Sequence, residues 1–147
     1  MVVKSLLCNR LRQQQDRILN DWSQRIANGH SEEMAAFLVK QSDRFANPVA
    51  YAFREATEAI YQALVDGGDV NREALGYAMK IKAVQGRDPS EGVAFIHLLK
   101  DILREISAGF ISENELMDLE SRIDEIAAVA SDMFIANRRK IAELAGY

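Results

Sequence analysis

The chain has 147 residues, of which 48% are hydrophobic and 27% are charged, a composition typical of one folded domain. Its formal net charge of −4 disfavours general nucleic-acid binding, and a single cysteine excludes an internal disulfide. The N-terminus lacks the pattern of a signal peptide, and no stretch approaches the ~20 apolar residues that cross a bilayer, so we expect a cytoplasmic protein without membrane insertion.

Two helices are predicted in the first third of the chain. Apolar residues recur at helical spacing over residues 3–28, and Gly29 follows as a typical helix end. Ser31, followed by two glutamates, has the composition of a new start, and this second helix through Gln41 is expected to be short. Trp22 lies on the apolar stripe of the first helix and is interpreted as a core anchor rather than a ligand platform.

The middle of the chain carries the start and stop signals of two further helices. Asn47–Pro48 combines an N-cap residue with proline at the first helical position, and Gly67–Gly68 ends the apolar stripe that follows. Asn71 is a second N-cap residue, for a fourth helix that ends at Gly86. Because every connection is short, we expect one compact domain over residues 1–147.

A fifth helix is predicted from Asp88 onward. Asp88 and Glu91 have capping-box spacing, and Pro89 stands where its missing N–H costs nothing. The helix is apolar over more than half its circumference, which is typical of a central helix or of one between the core and a partner. His97 lies in its apolar stretch and is interpreted as a half-buried histidine with a polar partner; the alternative is an axial haem ligand or a sensing group.

The last predicted helix is the longest. Ser112 and Glu115 form a capping box, and helical spacing continues to about Leu144, a length of roughly 45 Å. Its apolar positions form a heptad seam with one polar member, Asn137. Such a helix either bends over its own domain or projects and packs on another chain. The basic residues 138–140 are interpreted as charges that favour a helix C-terminus.

No constellation in the sequence supports catalysis or metal binding. Neither of the two histidines lies three residues after a carboxylate, as a di-iron bundle would need, and structural zinc would need four Cys or His ligands. No glycine-rich phosphate loop is present. We therefore expect no enzyme and no metal site. Lys80, Lys82, Arg87 and Lys100 would form an anion site if their helices meet, but are interpreted as solvated.

Since no segment alternates apolar and polar residues over the length of a strand, the sequence predicts an all-α protein of five to six helices. Residues 81–100 also carry a distinctive motif. It consists of Ala83, Val84, Gln85, Pro89, Ser90, Phe95, Leu99 and Lys100. This pattern resembles the N-terminal sensor domain of RsbR/RsbRD-type co-antagonists of RsbT, which are bacterial stressosome proteins. Gly92–Val93 departs from it, because the family pattern has Gln-Ala or a similar pair there.

The resemblance implies a non-haem, globin-like fold that is dimeric through its last two helices, and a sensory role in stress signal transduction. Family members carry a C-terminal STAS domain that passes the signal on. This chain ends at Tyr147, so the resemblance is to a free-standing sensor module with another, unknown protein partner. Haem is not expected, since a globin-like arrangement places the proximal histidine on the fourth helix, which has none.

The leading hypothesis is a homodimer that changes its helix packing when it binds a ligand or a partner. The motif residues expected to carry this change are Gln85, Asp88, Pro89, Ser90, Phe95, Leu99 and Lys100. The expected dimer interface residues are Ile102, Ile106, Leu116, Leu119, Ile123, Ile126 and Met133. A cavity between the third and fourth helices could hold a small apolar or anionic signal. The alternatives are a haem or other cofactor protein that uses His97, and a ligand-free structural interaction module.

Overall fold

The computed structural model describes residues 2–28, 48–85 and 88–146, with side chains from residue 6 onward. Within these ranges the chain forms six helices and no strand, as the all-α prediction requires. The helices are α1 (Val2–Gln13), α2 (Gln15–Asn28), α3 (Pro48–Asp66), α4 (Arg72–Val84), α5 (Pro89–Ile106) and α6 (Glu113–Leu144). None of them is long and apolar enough to cross a membrane.

Three helices, α4, α5 and α6, begin at the capping residues that the sequence predicts. The side chain of Asn71 accepts hydrogen bonds from the backbone N–H groups of Glu73 and Ala74, at 3.1 and 3.3 Å. Ser112 and Glu115 form the reciprocal capping box of α6. These side chains satisfy N–H groups that have no partner inside the helix, so short polar residues at fixed spacing determine the helix starts. The predicted Asn47 and Gly86 signals lie outside the described residues.

The first predicted helix is interrupted, so the prediction of one continuous helix was wrong. α1 ends at Gln13 and α2 begins at Gln15. The N–H of Gln14 is shared between the carbonyl oxygens of Arg10 and Leu11, at 3.1 and 3.2 Å, which tightens the backbone there. Apolar spacing continues across this point and therefore gives no signal of the break. The short second helix predicted over residues 31–41 lies outside the described residues.

One hydrophobic core draws on all six helices. At its centre the indole Nε1 of Trp22 donates to the backbone carbonyl of Phe95 at 2.7 Å, which joins α2 to α5. The rings of Phe95 and Phe53 meet edge to face with centroids 5.2 Å apart, which adds α3 to the junction. The hydroxyl of Tyr61 donates to the carbonyl of Leu11 at 2.6 Å and ties α3 to α1. The prediction of Trp22 as a core anchor is confirmed.

The C-terminal part of α6 extends beyond this core. Phe134 is buried, but the side chains of Ile141 and Leu144 are 36% and 85% exposed. At 1.5 Å per residue the 32 residues of α6 span about 48 Å. The first two thirds of the helix pack on α4 and α5, and the last three turns are largely exposed. The helix therefore packs on its own domain over most of its length, and only its end projects; packing of that end on another chain stays a prediction.

Candidate functional site

A cleft with a volume of about 580 Å³ lies between α3 and α4. The sequence left open whether a ligand cavity exists between the third and fourth helices, and the cleft lies at this place. The residues that line it are Pro48, Tyr51, Ala52 and Glu55 from α3, and Asn71, Glu73, Ala74, Gly76, Tyr77 and Lys80 from the start and outer face of α4. Its volume lies within the range of roughly 300–1,000 Å³ that is usual for small-molecule sites.

The lining of the cleft contains aromatic side chains and charged groups, and the charged groups lie apart from one another. Tyr77 is 49% exposed although it is a large aromatic residue. Glu73 and Lys80 are seven residues apart on α4, which separates them by roughly 10 Å along the helix axis. Among the described residues, Glu55, Glu73 and Lys80 form no salt bridge with any other side chain. These three charges are therefore available to a bound molecule.

A second depression of about 420 Å³ shares Glu55 with the cleft and continues along α3. It adds three acidic residues to the lining, namely Glu58, Asp66 and Asp69. Partial burial and, to a smaller extent, the neighbouring Glu55 carboxylate raise the pKa of Glu58, and Arg54 opposes them. Asp66 is neutralised by Arg12 at 3.0 Å. Glu55 is the acidic residue that the cleft and the second depression share.

The first half of the family motif builds the start of α5. The carboxylate of Asp88 accepts hydrogen bonds from the backbone N–H of Glu91 at 3.0 Å and from the hydroxyl of Ser90 at 2.7 Å. Pro89 occupies the first turn, as predicted. Gln85 is the C-cap residue of α4, and its N–H donates to the carbonyl of Ile81. These residues form the turn that connects α4 to α5.

Comparison with known proteins decides the family. A family model described as the RsbT co-antagonist protein rsbRD N-terminal domain matches residues 16–145, nearly the whole chain. The chain belongs to this family. The resemblance inferred from residues 81–100 is thereby confirmed, and this membership supports a regulatory domain related to the stressosome. No curated protein and no solved structure matches the chain, so the globin-like part of the predicted fold stays a prediction.

The second half of the motif contributes two core residues and one interhelical ion pair to this RsbRD N-terminal domain. Phe95 and Leu99 are buried in the core. The ammonium group of Lys100 pairs with the carboxylate of Asp124 and links α5 to α6. Capping, core packing and one interhelical ion pair therefore account for these motif residues. Whether they also carry a conformational change stays a prediction.

The Asp88 cap predicts a pH dependence of stability. Hydrogen bonds from Glu91 and Ser90 hold the pKa of Asp88 below its usual value in the folded chain. Its stabilising contribution is therefore complete above the unfolded pKa of about 4 and is lost as the pH falls through the folded pKa. We expect Asp88→Asn, which retains a capping side chain that does not titrate, to lose less thermal stability than the parent protein between pH 5 and pH 3.

Circular dichroism melts across this pH range measure the effect. The matched control is Asn71→Ala, which removes a cap that does not titrate and should lower the Tm by the same amount at every pH. If the difference in Tm between the parent protein and Asp88→Asn did not change below pH 5, Asp88 would not be the titrating cap.

His97 lies at the surface between α5 and α6. Its side chain is 43% exposed, and Nδ1 is 3.8 Å from the carboxylate of Asp124. Partial burial and the positive charge of Lys100 lower the pKa of His97, and Asp124 only partly offsets them. The interpretation as a half-buried histidine with a polar partner is consistent with this position.

The predicted cationic cluster is distributed over different parts of the fold. Lys80 lines the α3–α4 cleft, and Lys100 pairs with Asp124. Lys82 is only 6% exposed, with its ammonium group 5.2 Å from the centre of the Phe53 ring, so the prediction that it is solvated was wrong. Its aliphatic stem packs in the interior while its charge lies over an aromatic face. Arg87 lies outside the described residues.

The predicted dimer interface residues occupy the core of the single chain. Five of the seven are buried there: Ile102, Leu116, Leu119, Ile123 and Ile126. The other two, Ile106 and Met133, are partly buried against the same core. The heptad spacing of α6 arises here from its packing on α4 and α5, so these side chains have little surface to offer a second copy. A dimer interface on α6 must use residues beyond this buried stripe.

Sequence reasoning considered Lys80 only as part of a cationic cluster, and it missed Glu55, Glu73 and Tyr77 of the cleft. Glu73, Tyr77 and Lys80 lie at spacings of four and three on α4, which places them on one face of the helix. That face lies beside the apolar stripe, so a search for core positions passes over it. The available signal was a large aromatic residue between two opposite charges on a helix face. Among the described residues, no group of three His, Cys, Asp or Glu side chains is arranged to hold a metal ion.

Proposed function

We propose that this RsbRD N-terminal domain is a sensory domain of bacterial stress signalling that forms a homodimer in the cytoplasm. In this proposal a small-molecule signal or a protein partner changes the packing of its helices, and the change passes to a downstream protein. Family membership supports the regulatory role. The observation that carries the dimer is the exposed apolar end of α6.

The apolar stripe of α6 does not end where the core ends. Ile126 is buried, Met133 is partly buried, and Ile141 and Leu144 continue the stripe at helical spacing beyond the body of the domain. On an isolated monomer these last side chains would remain in water. Two such ends packed against each other would cover them, in the manner of a short coiled coil.

The fold also offers a physical route between the cleft and this end of α6. α4 lies between them, because one face of α4 lines the cleft and the helix packs on α6. A Cβ atom placed on Gly76 would lie 4.0 Å from the sulfur of Met133. Arg138 donates to the carbonyl of Ala83 near the end of α4, at 3.1 Å. A shift of α4 relative to α3 would therefore be transmitted to the projecting part of α6.

The dimer is tested by placing a charge on the projecting stripe. We expect the parent protein to form dimers, and we expect Ile141→Glu and Leu144→Glu each to weaken dimerisation by about tenfold or more, since an interface cannot bury an unpaired carboxylate cheaply. Sedimentation equilibrium over a range of concentrations measures the dissociation constant. Circular dichroism should be unchanged, because both side chains lie outside the core.

Met117→Glu is the matched control for this experiment. Met117 is also an exposed apolar residue of α6, but it lies near the other end of the helix. It should leave the dimer intact. A parent protein that stays monomeric at every concentration, or a Met117 variant that dissociates as much as the Leu144 variant, would contradict the proposed interface.

A ligand-free interaction module is the competing function that this proposal must exclude. Such a module would form the same dimer but would show no change in melting temperature with any small molecule. We propose no haem or other cofactor, because the surface position of His97 beside Asp124 does not support an axial ligand. Absorption spectra of the purified protein between 350 and 600 nm test this, since bound haem would give an intense band there.

A further inference from the structure

We infer that the α3–α4 cleft binds an organic cation, namely an amine carried on an aromatic or flat apolar body. This inference rests on the proposed sensory function, for which it names the site and the chemical class of the signal. It departs from the expectation of an apolar or anionic ligand, and the side chains around the cleft are the reason. Three features of the lining carry it: the carboxylates, the tyrosines and the position of the single lysine.

The carboxylates supply the preference for a cation. Glu55 from α3 and Glu73 from α4 line opposite sides of the cleft, and neither forms a salt bridge among the described residues. Glu58 and Asp69 add negative charge in the adjoining depression. Because the two carboxylates of the lining outnumber its one cationic side chain, Lys80, the cleft favours positive over negative ions. An ammonium group between the two helices would therefore meet carboxylates that have no salt-bridge partner among the described residues.

The aromatic residues supply the preference for an organic cation over a metal ion or a hydrated inorganic one. Tyr51 and Tyr77 line the cleft from α3 and α4, and the small residues Ala52 and Ala74 leave room beside them. Tyrosine rings attract ammonium groups through their negative faces and also pack on flat apolar bodies. A ligand with both properties would cover the exposed ring of Tyr77 and place its charge near a carboxylate.

Lys80 limits the ligand to one positive charge. It lies roughly 10 Å from Glu73 along α4, on the same face of the helix. A second ammonium group at that distance would be repelled, whereas a neutral or hydrogen-bond-accepting end would be tolerated. Specificity of this kind comes from a repulsive group beside the attractive ones. The cleft is therefore built for a short monocation rather than for a long polyamine.

Three probes of nearly equal shape test the inference: phenethylammonium, the neutral 2-phenylethanol and the anionic 3-phenylpropionate. We expect phenethylammonium to give a saturable heat in titration calorimetry and to raise the melting temperature progressively with concentration. We expect the neutral probe to bind at least about fivefold more weakly and the anion to show no saturable binding. Full-length parent protein is used throughout.

Variants assign the binding to this cleft. Glu55→Gln and Glu73→Gln should each weaken phenethylammonium binding by about two- to fivefold, and the double variant by about tenfold. Tyr77→Leu should weaken it several-fold, while Lys80→Met should leave it unchanged or tighten it. Asp118→Asn, an exposed carboxylate on α6 outside the cleft, is the matched control and should bind as the parent does.

Each outcome either supports or overturns the inference. Saturable binding of 3-phenylpropionate that disappears in Lys80→Met would show an anion site and overturn it. Binding of none of the probes, or cation binding that survives the Glu55/Glu73 double variant, would also overturn it. These failures are separate from a failure of the proposed function, because dimer formation through α6 is measured without any ligand.

Discussion

Replacing Phe95 by alanine is expected to lower the free energy of unfolding by about 3–5 kcal/mol. Phe95 is 4% exposed, and its ring meets Phe53 edge to face at the point where α2, α3 and α5 join. The loss combines the transfer of a large apolar ring to water with a cavity that three different helices border. Because these helices are also held by other contacts, they cannot collapse fully into the space.

Urea denaturation provides the measurement. Trp22 is the only tryptophan of the chain and contacts the backbone of Phe95, so its fluorescence reports directly on this junction. Tyr77→Ala is the matched control: it also removes an aromatic ring from a helix, but one that is 49% exposed, and it should cost less than about 1 kcal/mol. A Phe95→Ala protein with the stability of the parent would show that Phe95 does not anchor the core.

Trp22 and Phe95 show how much of this core could be predicted from sequence. Helical spacing identifies Trp22 as buried, because one face of a helix must face the interior. The same spacing contains no information about which carbonyl the indole N–H meets. That partner, the carbonyl of Phe95, is 73 residues away and depends on how α2 crosses α5. Local patterns therefore predict which residues are inside, and tertiary packing determines their partners.

The ends of the helices can be predicted where they are determined by residues close in the sequence. The caps at Asn71, Asp88 and Ser112 are made by residues within three positions, so the sequence predicts them correctly. The interruption at Gln14 depends on a shared backbone hydrogen bond and changes no apolar spacing. It therefore leaves no signal in the sequence pattern.

Neither the burial of the α6 stripe nor the charges of the cleft could be predicted from local sequence patterns. A heptad seam such as Leu116 to Met133 is compatible with a partner chain or with helices of the same chain, and only the fold shows that α4 and α5 cover it. Lys82 was expected in solvent because lysine is usually exposed, but Phe53 lies where the side chain can bury its stem. The cleft charges come from two helices, and single-helix patterns do not show that Glu55 and Glu73 line the same cleft.

The second large effect is expected at Gly92, where alanine should lower the free energy of unfolding by about 1–2 kcal/mol. A Cβ atom on Gly92 would lie 2.7 and 2.8 Å from Cδ2 and Cε2 of Phe134, far inside contact distance. Overpacking of this kind costs about 1–3 kcal/mol. Alanine regains up to about 1 kcal/mol through its higher helix propensity, so the steric cost exceeds the gain. The Phe134 ring is itself buried, with 1% of its surface exposed.

Gly76→Ala is the matched control, and it should change stability in the opposite direction. Gly76 is also inside a helix, but its added Cβ would meet only the sulfur of Met133, at 4.0 Å. The helix propensity term then acts alone, and the variant should be more stable than the parent by up to about 1 kcal/mol. Thermal and urea denaturation of both variants show directly whether the two changes in stability have opposite signs. If Gly92→Ala were as stable as Gly76→Ala, the close contact with Phe134 would have no effect on the free energy of unfolding.

Gly92 and Phe134 also form a direct contact between α5 and α6. The ring of Phe134 occupies the space that a side chain at position 92 would fill. Gly92 and Phe134 should therefore behave as one unit, so that Phe134→Leu, which is destabilising alone, recovers part of the loss in a Gly92→Ala background. Phe134 is the last buried residue of α6 before its exposed end. The contact consequently sets where α6 leaves α5, and with it the direction in which Ile141 and Leu144 project. A double-mutant cycle without any coupling energy would show that the two residues are independent, and the direction of the α6 end would then need another cause.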